Sequence, residues 1–167
     1  INSKIIASGR TDKGVHATGQ VCHFDYPEFW ANSIKLQNSL NKMLPPSIQV
    51  KKITKASDRF HARYDAKKRV YRYILSENTN PFSDNFVTKV KNINFETLSQ
   101  NIENFIGEHD FKFFMKRGSE VNSTKRTIYN AFAYKHKDLT ILYFEANGYL
   151  RSQIRMMVGA LLQLDVV

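Results

Sequence analysis

The sequence predicts an α+β fold with a largely antiparallel sheet, and three stretches carry that prediction. Residues 69–76 alternate with the two-residue period of a strand: Tyr71, Tyr73 and Leu75 fall on one face, Val70, Arg72 and Ile74 on the other. Residues 128–136 and 139–146 are two further strand-like runs with only Lys137 and Asp138 between them, the spacing of a hairpin. Helical stripes separate and follow these strands, which favours hairpin pairing mixed with helices over parallel crossover units.

From the start of the chain, residues 9–19 read as a loop feeding a strand over 20–26. Ser33 is placed to cap a helix whose apolar residues Leu36, Leu40, Met43 and Leu44 recur at helical spacing, and Pro45 and Pro46 end it. A strand is expected over about 48–55. The polar, basic run 58–69, punctuated by Phe60 and Tyr64, suggests a boundary that divides the chain into residues 1–65 and 66–167. Each part is small for an independent core, so the two are expected to share a cleft. Beyond the strand 69–76, Asn78–Ser83 is a turn-rich break. Asn94 then caps a helix with Leu98, Ile102, Phe105 and Ile106 on its buried side, closed by Gly107. After the hairpin, a last helix starts near Tyr149, with Leu150, Ile154, Met157, Val158 and Leu161 on its apolar stripe.

Charge narrows the function. Lys and Arg number 25 against 15 Asp and Glu, a formal net charge of +10, which points to a polyanionic partner, most simply nucleic acid. Hydrophobic residues make up 42% of the chain, ordinary for a globular protein, which excludes wholesale disorder. Cys22 is the single cysteine, so an internal disulfide is excluded, a cysteine zinc site is disfavoured, and a reducing, cytoplasmic setting is expected. No apolar run approaches the roughly 20 residues of a membrane helix, and no signal-peptide pattern opens the sequence. The start at Ile1 and the apolar close (Leu161, Leu162, Leu164, Val166, Val167) read as a piece cut from a longer chain.

The densest chemistry lies in residues 9–17, GRTDKGVHA. Gly9 and Gly14 allow a tight loop with close backbone approach to a ligand. Asp12 stands between Arg10 and Lys13, and nearby positive charge favours an ionised carboxylate able to act as nucleophile or base. Taken alone, the same pattern also suits a turn whose aspartate caps a backbone N–H. It lacks the G-K-[ST] ending of a phosphate-binding loop and the G-x-G-x-x-G of a dinucleotide site. His16 and His23 lack a carboxylate cluster at ligand spacing, so no metal is expected.

Residues 9–24, GRTDKGVHATGQVCHF, closely resemble the signature of the TruA family of tRNA pseudouridine synthases. Further matches follow in order. Residues 60–64, FHARY, resemble the family's F-H-A-R-[FY] segment, and 67–75, KKRVYRYIL, its R-x-Y-x-Y strand. Residues 107–111, GEHDF, with Phe113 and Phe114, resemble G-x-H-D-F-x-x-F. Residues 151–162, RSQIRMMVGALL, resemble the family's Q-[IV]-R-[NK]-[ML]-V-G helix, with Met156 where the family often has Asn or Lys. The family's opening strand, with its Y-D-G element, and its C-terminal tail are not in this sequence.

The resemblance implies a pseudouridine synthase fold, in which two ferredoxin-like subdomains with largely antiparallel sheets flank a basic active-site cleft. It implies a homodimer that isomerises uridines in the anticodon stem-loop of tRNA, without a cofactor, metal or membrane. Asp12 matches the catalytic aspartate, Tyr71 the active-site tyrosine and Arg155 the helix arginine. Arg155 sits in an apolar stretch, so it is expected to be partly buried and paired to Asp12. Arg10 is expected to fill the space left by a flipped base. Phe60, His61, Ala62, Arg63 and Tyr64 are expected tRNA contacts. So are Lys116, Arg117, Gly118, Lys125 and Arg126, from a loop-like basic stretch over 112–126.

The implied reaction breaks the bond from N1 to the ribose C1′ and rejoins C1′ to C5. Attack by Asp12 at C1′, attack at C6 and a glycal route all satisfy the residues. A non-catalytic RNA-binding module would need the same basic and aromatic surfaces but not the set Asp12, Tyr71 and Arg155. A nuclease built on Asp12 would want a metal-binding carboxylate cluster, and the sequence places none beside it.

Overall fold

The computed structural model describes residues 4–26, 29–30, 32–78 and 80–163. The chain divides into two compact units, Ile1–Ala66 and Lys67–Val167. The expectations for the opening three residues and for the last four fall outside the described residues.

In the first unit, β1 (Ile6–Ala7) pairs antiparallel with β2 (Cys22–His23), Ile6 opposite His23 and Ala7 opposite Cys22. The strand expected over 20–26 therefore shrinks to two residues. One further backbone bond, Ser8 N–H to Val21 C=O (2.8 Å), extends the ladder, and a side chain then takes over: the Gln20 amide donates to Gly9 C=O (2.6 Å). The helix α1 spans Ser33–Met43, and its cap is Asn32 rather than Ser33. Asn32 Oδ1 accepts from Ile34 N–H at 2.8 Å and from Lys35 N–H at 3.3 Å, satisfying two of the donors a helix start leaves open. Leu36 is buried, whereas Met43, at the end of the expected stripe, is 83% exposed.

No strand forms over 48–55. Amide side chains of α1 replace the neighbouring strand it would need. Asn41 donates to Val50 C=O (3.0 Å) and accepts from Val50 N–H (2.7 Å), the paired bonds of an antiparallel ladder made by one side chain. Gln37 donates to the carbonyls of Val50 and Lys51.

The second unit is a five-stranded sheet in the order β4-β3-β7-β6-β5. Its strands are β3 (Arg69–Ser76), β4 (Thr88–Lys89), β5 (Gly107–Asp110), β6 (Lys125–His136) and β7 (Leu139–Ala146). Only β3 and β4 run parallel; the other pairs are antiparallel. Lys137 takes the positive φ of 55° that a two-residue hairpin turn demands. A bulge between Ile128 and Asn130 breaks the register of β6 against β7.

Two helices, α2 (Phe95–Ile102) and α3 (Gln153–Gln163), pack on one face of this sheet. Asn94 caps α2 as its sequence predicts, its side chain accepting from Thr97 N–H at 3.1 Å. The helix does not run on to Gly107. It tightens into a 3₁₀ turn over Glu103–Phe105, Ile106 is exposed, and Gly107, with φ of 109°, opens β5. Likewise α3 begins at Gln153 rather than near Tyr149, because Leu150 N–H donates to the Gln153 side chain at 2.8 Å and caps the entry. Leu98 and Ile102 from α2 and Met157, Val158 and Leu161 from α3 bury against Leu75, Ile128, Ala131, Leu142 and Phe144.

Among the described residues, no helix of this unit covers the opposite sheet face. Across β3, β7 and β6 it presents Arg72, Tyr143 and Phe132 in register, with Lys68 bonded to Glu145 at 2.6 Å. Phe132 stacks on Tyr143 at 4.7 Å, and the Arg72 guanidinium lies 5.7 Å from the Tyr143 ring centre.

Candidate active site

The aspartate loop grows from the β1–β2 ladder. Val15 N–H donates to Asp12 C=O at 3.1 Å, and Gly14 at the third position has φ of 83°, which makes residues 12–15 a type II turn with Asp12 at its first position. Arg10, Asp12 and Lys13 are all exposed. The loop is fastened at its base. Ser8, Gln20 and Gly9 bond across its stem, and Lys51 Nζ donates to Thr18 C=O at 2.6 Å. Lys51 belongs to the segment held by Gln37 and Asn41, so α1 reaches the loop through two links.

The Phe60–Tyr64 segment is a turn bound to β2. His61 C=O accepts from Tyr64 N–H and Asp65 N–H, and Asp65 Oδ2 accepts from His61 N–H at 2.8 Å. His23 Nδ1 accepts from Ala62 N–H at 3.0 Å. Of the five expected contacts, Arg63 and Tyr64 are exposed, Phe60 and His61 are half-buried, and Ala62 is 2% exposed. Ala62 thus packs inward. His23 and Lys51 were not read as site residues. The string holding His23 gives its identity but not its bond to a residue 39 positions away.

Tyr71 lies in the second unit, opposite Phe144 in β7. Its ring meets Tyr149 edge-on, with centres 5.1 Å apart and planes at 89°. Tyr149 donates its hydroxyl to Arg69 C=O at 3.4 Å, and burial pushes that phenol far above its ordinary value of 10.0. Tyr149 therefore stands as a neutral aromatic wall against Tyr71. Nothing local announces it, since it comes from the turn before α3.

Arg155 is exposed, against the expected partial burial. The buried stripe of α3 runs through Gln153, Met157, Val158 and Leu161, which turns Arg155 and its neighbour Met156 outward. The stretch 112–126 is not one loop. A 3₁₀ turn spans Lys112–Phe114, and Lys125 and Arg126 already belong to β6. Phe114 packs edge-on against Phe105, while Phe113 points to solvent. Lys116 N–H donates to Arg151 C=O (3.0 Å), and Lys116 and Arg117 are exposed. Arg126 is half-buried; its guanidinium donates to Ser123 C=O at 2.9 Å, and burial lowers its pKa from the usual 12.5. Gly148 lies close to the guanidiniums of both Arg126 and Arg69.

Asp12, Arg10 and residues 60–64 stand on the first unit, and Tyr71, Arg155 and the basic residues 116–126 on the second. Among the described residues, no three His, Cys, Asp or Glu gather as a metal site, and no helix is long and apolar enough to cross a membrane.

The tRNA pseudouridine synthase family model matches residues 1–65 and 102–166. The chain belongs to this family. It is 40% identical over 164 residues to tRNA pseudouridine synthase A of Campylobacter jejuni (strain RM1221), covering 98% of this chain and 68% of that protein. It is 44% identical over 168 residues to the protein of the same name from Helicobacter hepaticus, covering 97% and 67%. With the Helicobacter pylori protein of that name it shares 40% over 168 residues. As a tRNA pseudouridine synthase family member it is an isomerase-type enzyme of mixed α and β structure with mostly antiparallel sheets. The family match takes in the Asp12 loop and Arg155, whereas Tyr71 and β3 lie between the two matched stretches.

Proposed function

We propose that this chain isomerises uridine to pseudouridine in the anticodon stem-loop of tRNA, with Asp12 as nucleophile on a base flipped out of the stack. The observation that carries it is the Asp12 turn itself: an exposed carboxylate at the head of a type II turn, on a loop whose stem is tied by Gln20 and Lys51. Such a loop can enter a helix groove while its base stays fixed. Extruding the uridine costs a few kcal/mol, and Arg10, exposed two residues before Asp12, fills the vacated space.

Tyr71 stacks beneath the detached base, backed by Tyr149, and takes the C5 proton once C1′ has joined C5. Arg155, exposed on α3, orients the ionised Asp12. This chemistry requires Asp12, Tyr71 and Arg155 to meet round one uridine, in a basic cleft between two ferredoxin-like halves. Arg63, Tyr64, Lys116, Arg117, Lys125 and Arg126 then follow the tRNA, with Phe60, His61, Ala62 and Gly118 shaping the turns that present them. The uncovered sheet face with Phe132 and Tyr143 supports a homodimer; Phe132→Glu should convert a sedimenting dimer to monomer, and an unchanged sedimentation coefficient would remove the face from the interface. The proposed setting is the cytoplasm, where tRNA is handled.

The test follows tritium release from C5-labelled uridine in unmodified tRNA, with the product mapped. Asp12→Ala should abolish release and leave tRNA binding within about twofold, since the carboxylate adds no attraction for phosphate. Tyr71→Phe should keep binding and lose turnover. Persistent turnover in Asp12→Ala would end the nucleophile assignment.

A further inference from the structure

Three rings in the first unit form a column, and how Tyr64 at its outer end meets the tRNA follows from that packing. His23 meets His61 edge-on at 4.9 Å, and Tyr64 stacks on His61 at 4.2 Å with planes 27° apart. Tyr64 is nonetheless 75% exposed. With one ring face against His61, its accessible surface is the other face and the edge.

The ring is also held. His61 Nδ1 accepts from Arg63 N–H (3.3 Å) and Tyr64 N–H (3.2 Å), and His23 Nδ1 accepts from Ala62 N–H (3.0 Å). Backbone donors at both Nδ1 atoms leave Nε2 as the ring nitrogen that carries the proton. The turn is thereby tied to β2, and the Tyr64 backbone is held while its ring rests on His61. An exposed aromatic whose backbone is already fixed loses little freedom when a flat ligand lands on it. Arg63 stands exposed next to it, supplying the positive charge a nucleotide wants.

We infer that the outer face of Tyr64 is a stacking platform for one unpaired base of the tRNA, and that His23 is a positioning residue holding the turn that presents it. This rests on the tRNA-modifying activity proposed above. It adds a contact by base stacking, separate from the nucleotide at Asp12.

Binding of a fluorescent, unmodified tRNA transcript to Asp12→Ala chains tests it without turnover. Tyr64→Leu should weaken binding about 5- to 150-fold, and Tyr64→Phe should stay within about twofold. His23→Leu should weaken binding to the same extent as Tyr64→Leu. His23→Asn should restore it, because its Oδ1 stands where Nδ1 accepts from Ala62. A packing role for His23 would give the reverse order, leucine better than asparagine, and would overturn the positioning role. Equal binding by the Tyr64→Leu and Tyr64→Phe chains would overturn the platform. Tritium release by the unsubstituted chain is measured beside these, so loss of the isomerase proposal is read separately from loss of the platform.

Discussion

Replacing Asn41 by alanine tests how the aspartate loop is held. Asn41 makes both hydrogen bonds of a miniature ladder to Val50, at 3.0 and 2.7 Å. Each such bond contributes about 0.5–1.5 kcal/mol net, so removing the pair should cost roughly 2 kcal/mol. Val50 C=O keeps its bond from Gln37 at 3.1 Å, which places the loss mainly on the Val50 N–H. The single tryptophan, Trp30, lies in the first unit, so its fluorescence reports urea unfolding of the unit that carries the substitution. With a urea dependence of about 2 kcal/mol per molar, the midpoint should fall by about 1 M. Asn41→Asp keeps the acceptor for Val50 N–H and loses only the donor to a carbonyl that Gln37 still serves, so it should recover most of that. Activity should drop with it, through the link from Val50 to Lys51 and on to Thr18 C=O. An Asn41→Ala midpoint within about 0.2 M of the unsubstituted protein would show that these amide bonds do not hold the segment.

Glu145→Gln removes an exposed pair whose effect depends on pH. The hydrogen bond from Lys68, then that from Tyr143, holds the Glu145 carboxyl below its ordinary 4.5, while Lys68 is raised above 10.5 by the same pair. A depressed carboxylate stabilises the fold above its unfolded pKa and loses that effect as pH falls through its folded value. The unsubstituted protein and Glu145→Gln should therefore differ in urea midpoint near pH 7 and converge in acid; a gap that widened on acidification would refute the assignment. Lys116→Ala should weaken tRNA binding alike for different tRNA sequences and reduce the salt slope by about one unit, read from log Kd against log salt. An unchanged slope would take Lys116 off the phosphate path.

Where a segment satisfies its own local pattern, the sequence reads to the residue. Strand β3 begins and ends at the residues its alternation predicts, because Tyr73 and Leu75 turn toward a real core. Asn94 caps α2 because its short side chain needs only the next three residues. The failures share a cause as well. Strand β5, Gly107–Asp110, carries three exposed residues and pairs through its backbone alone, so no hydrophobic period marks it. Residues 48–55 look like a strand, yet the partner they find is the side chain of Asn41, and periodicity says nothing of a helix amide nine residues away. Arg155 was misplaced for a subtler reason: its apolar neighbours include Met156, which is itself turned to solvent.

The candidate site divides along the same line. Asp12 is legible because its chemistry is written in contiguous residues, a carboxylate between two cations with Gly14 supplying the positive φ. What makes that carboxylate usable is not contiguous. The loop's stem is closed by Gln20, its far end by Lys51, and Lys51 in turn by two amides from α1. The turn that carries Tyr64 is tied to His23 through Ala62, 39 residues along the chain, and Tyr71 is walled by Tyr149 across 78. These groups need not touch uridine for their loss to lower turnover. Bonds at the foot of the loop hold the turn that presents Asp12. Substitutions at Gln20, Asn41 or Lys51 therefore act on the rate through the placement of Asp12, while substitutions at His23 act on binding through the placement of Tyr64.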